Sequence, residues 1–159
     1  MTPAAEELLL RAVRPALERL DMWSPVAESA MIYIAAHESE GFRHRVQVGG
    51  GPALGLWQVE PATHDDNFFN FLDARPDLRA RVIDLKESLG SNPYDELRDN
   101  DLYCCAHARI KLWRRKFIWP ADPDDIEAIA AIWDLHYQDS SVDPAKRRDF
   151  IADCKRYVG

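Results

Sequence analysis

Three acidic residues flank a glycine-rich stretch in a pattern that could support carboxylate chemistry. Glu38 and Glu40 lie in "HESEG", and Glu60 follows the glycines in "GLWQVE". Cleavage of a glycosidic bond requires a protonated acid at the leaving oxygen, together with a group that stabilises the transition state or supplies a nucleophile. We predict Glu38 as the acid. Glu60 or Asp65 could be the second group if the glycine-rich segment folds beside the Glu38 helix.

The position of Glu38 suits the role of an acid. A helix is predicted to begin at Ser24-Pro25, a capping side chain followed by proline at the first helical position. Val26, Ala30, Ile34 and Glu38 then lie four residues apart, so Glu38 continues an apolar stripe near the helix end. A carboxyl beside apolar surface is costly to ionise, and its pKa tends to rise.

Other chemistries are poorly supported by the same residues. A helical zinc motif requires a second histidine four residues after His37, but Gly41 occupies that position. Ser39 lies near His37 in sequence, which does not by itself create the relay of an activated serine. The stretch "GGGPALG" matches neither a P-loop nor a dinucleotide fingerprint. No metal and no cofactor are therefore expected.

Three ordered blocks resemble the lysozyme-like superfamily, particularly soluble lytic transglycosylases and phage muramidases. The blocks are Glu38-Ser39, the run Gly55-Leu56-Trp57-Gln58, and Pro61-Ala62-Thr63. Trp57 stands where methionine is usual. A weaker late block in "IWDLHYQDS" places Tyr137 on the family's Tyr-Asn element, with Gln138 where asparagine is usual. "GLWQVE" is also similar to the goose-type lysozyme pattern, and the resemblance extends over residues 24–138.

The resemblance implies a peptidoglycan-degrading enzyme. Glu38 would protonate the bridge oxygen between N-acetylmuramic acid and N-acetylglucosamine, and Glu60 would be the second carboxylate. The residues expected to contact the glycan are Ser39, Gln58, Thr63 and Tyr137, with Ser39 alternatively orienting Glu38. A muramidase is preferred over a lytic transglycosylase forming 1,6-anhydro products. A non-catalytic lysozyme-like protein is the third alternative. Trp57 and Trp133 are predicted to be core residues rather than sugar platforms.

The elements that must position these residues are mainly helical. We predict one lysozyme-like domain over residues 1–159, with a small β-hairpin or glycine-rich wing at residues 45–60 as its only interruption. Capped prolines predict helix starts at Thr2-Pro3, Ser24-Pro25, Asp122-Pro123 and Asp143-Pro144. Residues 94–117 are predicted to form one long helix, and Pro15 should kink or split the first one.

Composition restricts the partners. The net charge of −7 argues against sequence-independent nucleic-acid binding, although "KLWRRKFIW" is locally basic. Three cysteines without CxxC spacing are predicted to be reduced core thiols. No apolar run suits membrane insertion, and the N-terminus lacks the basic leader of a signal peptide. The expected protein is a monomeric endolysin that waits in the host cytoplasm for a membrane pore, or a lysin carried in a virion.

Overall fold

The computed structural model describes all 159 residues, and helices dominate it. The α-helices are α1 (Pro3–Leu8), α2 (Arg14–Arg19), α3 (Pro25–Glu38), α4 (Pro61–Asn70), α5 (Pro76–Asp84), α6 (Pro93–Asp99), α7 (Asp101–Trp113), α8 (Ile126–Ile132) and α9 (Pro144–Tyr157). Wider π-type turns occupy Leu9–Val13 and Trp133–Tyr137, and a short 3₁₀ turn spans Leu72–Ala74. The mainly α prediction is confirmed.

Proline-capped starts fix three of these helices where the sequence predicted them. The side chains of Thr2, Ser24 and Asp143 accept hydrogen bonds from backbone N–H groups of the first turns of α1, α3 and α9. The fourth predicted start is wrong. Asp122 caps a turn instead, accepting from the N–H of Asp124, and α8 begins three residues later under the cap of Asp125.

The predicted long helix over residues 94–117 is also wrong, because Asn100 divides it. Asn100 has extended backbone angles (φ −103°, ψ 102°), and its side chain accepts a hydrogen bond from the N–H of Tyr103. Asparagine competes well with helical backbone bonding through its own side chain, so it ends α6 and caps α7. Pro15 does not split the first helical segment, which stays helical over residues 3–19; the turn just before α2 widens instead, which accommodates the missing N–H and the ring.

One continuous core of 40 buried residues joins the helices into a single compact unit. Helix α7 lies at its centre and is buried along most of its length, packing against α2, α3, α4 and α6. Helix α3 packs between α1 and α9. All three cysteines, Cys104, Cys105 and Cys154, are buried and unpaired, as predicted for core thiols. None of the helices has the length and apolarity needed to cross a membrane.

Residues 45–60 form an irregular glycine-rich wing rather than a regular hairpin. Only isolated antiparallel bridges occur in it, from Leu54 to Val46 and to Val59. The wing is anchored at Arg45, which makes two hydrogen bonds of 2.6 and 3.1 Å to the buried carboxylate of Asp101 at the start of α7. Arg11 donates to the same carboxylate at 2.9 Å. The first residue of the wing is thereby tied to the central helix.

Gly55 brings the wing into direct contact with the helical body. Its φ of +75° is one that residues with a Cβ rarely adopt, and a Cβ at this position would lie 2.1 Å from the carbonyl oxygen of Leu97. Two residues later, the indole of Trp57 is fully buried and donates to the carbonyl of Met31 in α3 at 2.9 Å. Trp57 is therefore a core residue, as predicted, and it holds the wing against the helix that carries Glu38.

Candidate active site

An open cleft of about 570 Å³ lies between the end of α3, the wing and the segment that follows α8. Four of the six predicted site residues line it together: Glu38, Gln58, Glu60 and Tyr137. The other lining residues are His37, Glu40, His44, Gln47, Val48, Ala53, Lys111, Trp133, Gln138, Asp139, Ser140, Lys146 and Asp149. The glycine-rich segment does fold beside the Glu38 helix, the condition on which the second carboxylate depended.

Glu38 is the last residue of α3 and is partly buried in the wall of this cleft. Its Oε1 accepts a hydrogen bond of 2.8 Å from the indole Nε1 of Trp133. Burial raises the pKa of the Glu38 carboxyl, while the Trp133 bond and the charges of His37 and Lys111 act in the opposite direction. The net result is a carboxyl that holds its proton more tightly than an ordinary glutamate does.

Trp133 belongs to the site although the sequence predicted it only as core. The side chain is 4% exposed, stacks on Phe150 with 4.9 Å between ring centroids, and meets the His37 ring edge-on at 4.7 Å. It is thus a core residue whose N–H points at the catalytic candidate. Its place on an apolar helical stripe gave no signal of this contact, because the two residues are 95 positions apart.

The segment after α8 supplies the side of the cleft around Tyr137. The Tyr137 hydroxyl donates to the carbonyl of Trp57 at 2.5 Å, which ties this segment to the wing. Burial raises the pKa of Tyr137 well above its usual value, so the phenol stays protonated. Gln138 also lines the cleft, but its amide is bonded within its own segment, to Asp134 and Ser140.

Ser39 does not line the cleft, which corrects the prediction that it contacts the glycan. It is fully buried, and its hydroxyl donates to the carbonyl of Ala35 at 2.6 Å while accepting from the N–H of Phe42 at 2.8 Å. Both bonds fix the backbone where α3 ends. The alternative role, orienting Glu38, is open to Ser39 only through this backbone, since the hydroxyl makes no hydrogen bond to the carboxyl.

The chain leaves Glu38 through three consecutive residues with positive φ, namely Glu40 (51°), Gly41 (78°) and Phe42 (66°). Such angles are unfavourable for glutamate and phenylalanine, so the fold must hold this turn in place. A Cβ on Gly41 would lie 2.6 Å from the ring of Tyr157 in α9. The turn is therefore packed tightly under the last helix, and it sets where α3 stops and Glu38 projects.

Gln58 and Glu60 lie on the wing side of the cleft. Gln58 has a positive φ of 49°, and its side chain donates to the carbonyl of Gly55 at 2.9 Å, closing the turn. Glu60 precedes α4 and makes no hydrogen bond with its side chain, not even a cap to the helix. Of the two proposed carboxylates, Glu38 and Glu60, only that of Glu60 makes no side-chain hydrogen bond.

Asp65, the alternative second carboxylate, accepts a hydrogen bond from Tyr94 and pairs with His64, and it does not line the cleft.

Thr63 lies in an adjoining pocket of about 540 Å³ rather than in the cleft itself. Lys111 and Asp139 line both spaces. The ammonium group of Lys111 donates to the carbonyl of Tyr137 at 2.5 Å and to each carboxylate oxygen of Asp139 at 3.1 Å. The cleft and the adjoining pocket meet at this ion pair, and together they are called the groove.

The charges along the groove are unevenly distributed. Five carboxylates line the cleft, those of Glu38, Glu40, Glu60, Asp139 and Asp149, against two lysines. The adjoining pocket carries Lys111, Arg114 and Arg115 beside only two aspartates. The basic side chains are therefore concentrated at one end of the groove. No three histidine, cysteine or acidic side chains meet in a way that could hold a metal ion.

Comparisons with known proteins found no family model, no curated protein and no solved structure that matches this chain. The resemblance to lysozyme-like enzymes therefore rests on the sequence blocks alone.

Proposed function

We propose that the chain is a peptidoglycan-cleaving glycosidase that uses Glu38 as its general acid. One observation carries this proposal: a partly buried carboxyl, whose pKa burial raises, lies in the wall of an open groove lined mainly by polar side chains. A general acid must be protonated before the reaction and must reach its substrate; the raised pKa of Glu38 favours the first, and its place in the cleft wall favours the second. The three sequence blocks supply the substrate class, a β-1,4-linked glycan of N-acetylmuramic acid and N-acetylglucosamine.

In the proposed reaction, Glu38 gives its proton to the bridge oxygen as the bond from that oxygen to the anomeric carbon breaks. Positive charge develops on the sugar ring, and the carboxylate left on Glu38 then acts as base. In a muramidase the base accepts a proton from an attacking water. In a lytic transglycosylase it accepts the proton of the muramoyl 6-hydroxyl, and a 1,6-anhydro ring forms.

We favour the muramidase outcome because a second carboxylate is available in the same cleft. Glu60 makes no side-chain hydrogen bond and is free to orient a water. Gln58 and Tyr137 would contact the glycan in the cleft, and Thr63 would do so further along the groove. Their own hydrogen bonds hold Gln58 and Tyr137 in place, so little ordering would be required on binding.

The decisive experiment is digestion of purified peptidoglycan followed by mass spectrometry of the products. Wild type should release muropeptides with reducing ends, and Glu38→Gln should release at least about a hundredfold less, the range typical of a missing acid. Glu127→Gln changes an exposed glutamate on α8 in the same way and should leave activity unchanged. Anhydro-muropeptides would instead identify a transglycosylase.

Two results would count against parts of the proposal. Equal product from wild type and Glu38→Gln, or none from either, would exclude the enzymatic function and favour a non-catalytic glycan-binding protein. Full activity in Glu60→Gln would remove Glu60 from the mechanism and weaken the preference for hydrolysis.

The proposed biological setting follows from the proposed substrate. A phage endolysin would reach the wall through a membrane pore, whereas a virion-borne lysin would be delivered by the particle. The acidic cleft suits the neutral backbone of the glycan, while the basic end of the groove would face its anionic substituents. We propose a monomer without nucleic-acid partners.

A further inference from the structure

A small aromatic pocket of about 220 Å³ lies where α7 ends and the following loop folds back over it. Its walls are the rings of Trp113, Phe117 and Trp119, with Leu112 also contributing. Two guanidinium groups complete it, those of Arg109 and Arg115. No acidic side chain lines this pocket, although the chain as a whole carries a net charge of −7. The pocket is therefore positive and apolar at once.

Arg109 is the unusual residue in this pocket. It is 3% exposed, yet it forms no ion pair, and the single hydrogen bond from its side chain runs from Nε to the carbonyl of Met22 at 3.3 Å. Buried arginines normally pair with a carboxylate, because an isolated buried charge is costly. Burial lowers the pKa of Arg109 to about 10, so the group still carries its charge at neutral pH.

The rings partly compensate for the missing partner. The guanidinium carbon of Arg109 lies 5.1 Å from the centre of the Trp113 ring and 5.6 Å from that of Trp119. Phe117 meets Trp119 edge-on at 4.8 Å and stacks on His136 at 5.0 Å, which fixes the aromatic wall. The rings do not accept hydrogen bonds from the N–H groups that lie in the plane of the guanidinium. The terminal nitrogens of Arg109 can therefore donate two parallel hydrogen bonds to a ligand.

We propose that this pocket binds a carboxylate carried on a compact apolar or aromatic group. The carboxylate would pair with Arg109, and the apolar body would lie between the rings of Trp113 and Trp119. The volume equals about seven water molecules, which limits the bound part to about six to ten non-hydrogen atoms. Arg115, exposed and without an ion pair, would attract the anion at the mouth.

A carboxylate of this kind fits better than a free phosphate. Both anions match the guanidinium fork, but phosphate is strongly hydrated and has no apolar part to place against the rings. The inference does not depend on the proposed enzymatic function, because none of the pocket's residues lines the Glu38 cleft and only Arg115 also lines the adjoining pocket of the groove.

The test is NMR titration of the full chain with benzoate, benzamide and inorganic phosphate, following the indole N–H signals of the five tryptophans. Single Trp→Phe variants would assign those signals. Benzoate should shift the Trp113 and Trp119 signals with a dissociation constant of about 1 mM, as expected for so small a ligand. Benzamide, which has the same shape without the charge, and phosphate should each bind at least about tenfold more weakly.

Variants then separate the pocket from any other anion site. Arg109→Met should weaken benzoate binding at least about tenfold while the protein remains folded, because methionine replaces an unpaired buried charge with an uncharged side chain that matches the unbranched stem of arginine. Trp119→Leu and Arg115→Gln provide tests that leave Arg109 in place, and both should weaken binding. Glu38→Gln should bind benzoate as wild type does, whether or not the chain is an enzyme.

The proposal is overturned if benzoate leaves both indole signals unchanged, or if benzamide or phosphate binds as well as benzoate. Unaltered benzoate binding in a folded Arg109→Met, or in both Trp119→Leu and Arg115→Gln, would also overturn it.

Discussion

Replacing Trp133 by phenylalanine should move the pH dependence of the proposed reaction in a known direction. The indole Nε1 donates to Oε1 of Glu38 at 2.8 Å from a side chain that is 4% exposed. This bond favours the ionised carboxylate and thus lowers the pKa of Glu38. Phenylalanine keeps an aromatic ring against Phe150 and His37 but removes the donor. The pKa of Glu38 should therefore rise further.

The size of the change follows from the difference between two hydrogen bonds. A bond to a charged group contributes about 1.5–3 kcal/mol and one between neutral groups about 0.5–1.5 kcal/mol, so losing the indole disfavours the carboxylate by about 1 kcal/mol more than the protonated acid. Since one pKa unit corresponds to about 1.4 kcal/mol, the pKa of Glu38 should rise by about 0.7, and the pH at which kcat/KM falls to half its maximum should rise by the same amount. A general acid is active while protonated, so the limb of kcat/KM that falls as pH rises should move to higher pH.

The assay is release of soluble fragments from labelled peptidoglycan between pH 4 and 9. Trp23→Phe is the matched control, because the Trp23 indole donates to a carboxylate oxygen of Glu28 at the same 2.8 Å but lies outside the cleft. In Trp23→Phe, the limb of kcat/KM that falls as pH rises should stay where it is in wild type. Any effect of substrate titration would be the same in both variants, so the comparison removes it. An unmoved limb in a folded Trp133→Phe would refute the reasoning.

The same coupling can be measured without any enzymatic activity. The indole N–H signal of Trp133 should titrate with Glu38 in NMR spectra, and this titration should disappear in Glu38→Gln. A Trp133 signal that titrates identically in wild type and in that variant would show that the two side chains are not coupled in solution.

Three further predictions concern stability. Burial raises the pKa of Glu38, so the folded state favours the protonated carboxyl, and wild type loses folding stability as pH rises through the folded pKa. Glutamine carries no charge at any pH. In thermal scans, Glu38→Gln should therefore have a higher melting temperature than wild type at pH 8, and the two should agree below about pH 4. Gly55→Ala should lower the free energy of unfolding, measured by urea denaturation, by at least about 2 kcal/mol, because the new Cβ would meet the carbonyl of Leu97. Gly50 also has a positive φ but open surroundings, so Gly50→Ala should lower it by about 1 kcal/mol. Asp101→Asn should lower the free energy of unfolding by about 2 kcal/mol in the same measurement. This is less than the roughly 3–5 kcal/mol typical of a broken buried ion pair, because the two arginine partners of Asp101 are partly exposed.

Much of the helical framework could be predicted because its signals are local. A capping side chain followed by proline specifies a start within one turn, and three of the four such starts are correct. The failure at Asp122-Pro123 has a local cause as well, since the aspartate satisfies a turn of its own before Asp125 caps the helix. Asn100 lies in a stretch of strong helix formers, where a single cap residue outweighs the average propensity.

The site was only partly predictable because its contacts join distant parts of the chain. Matching blocks identified Glu38 and the wing residues, yet a block cannot show which side chains face a cleft, and Ser39 proves to be buried beneath it. Trp133 lies on an apolar stripe, and its N–H meets Glu38 only because α9 packs on both α3 and α8. Periodicity predicts which face is buried but not which polar atom on that face needs a partner.

The contact between Glu38 and Trp133 bears on a conflict between burial of the carboxyl and the reaction that we propose for it. Burial at the end of α3 would make Glu38 hold its proton strongly, and a very weak acid gives up its proton too slowly. In the proposed reaction the same group must next carry a negative charge and act as base. The indole N–H and the ammonium group of Lys111 both favour that charged form. A core tryptophan with its donor turned inward can thus tune the acid, and its importance would lie in the nitrogen rather than in the ring area it buries.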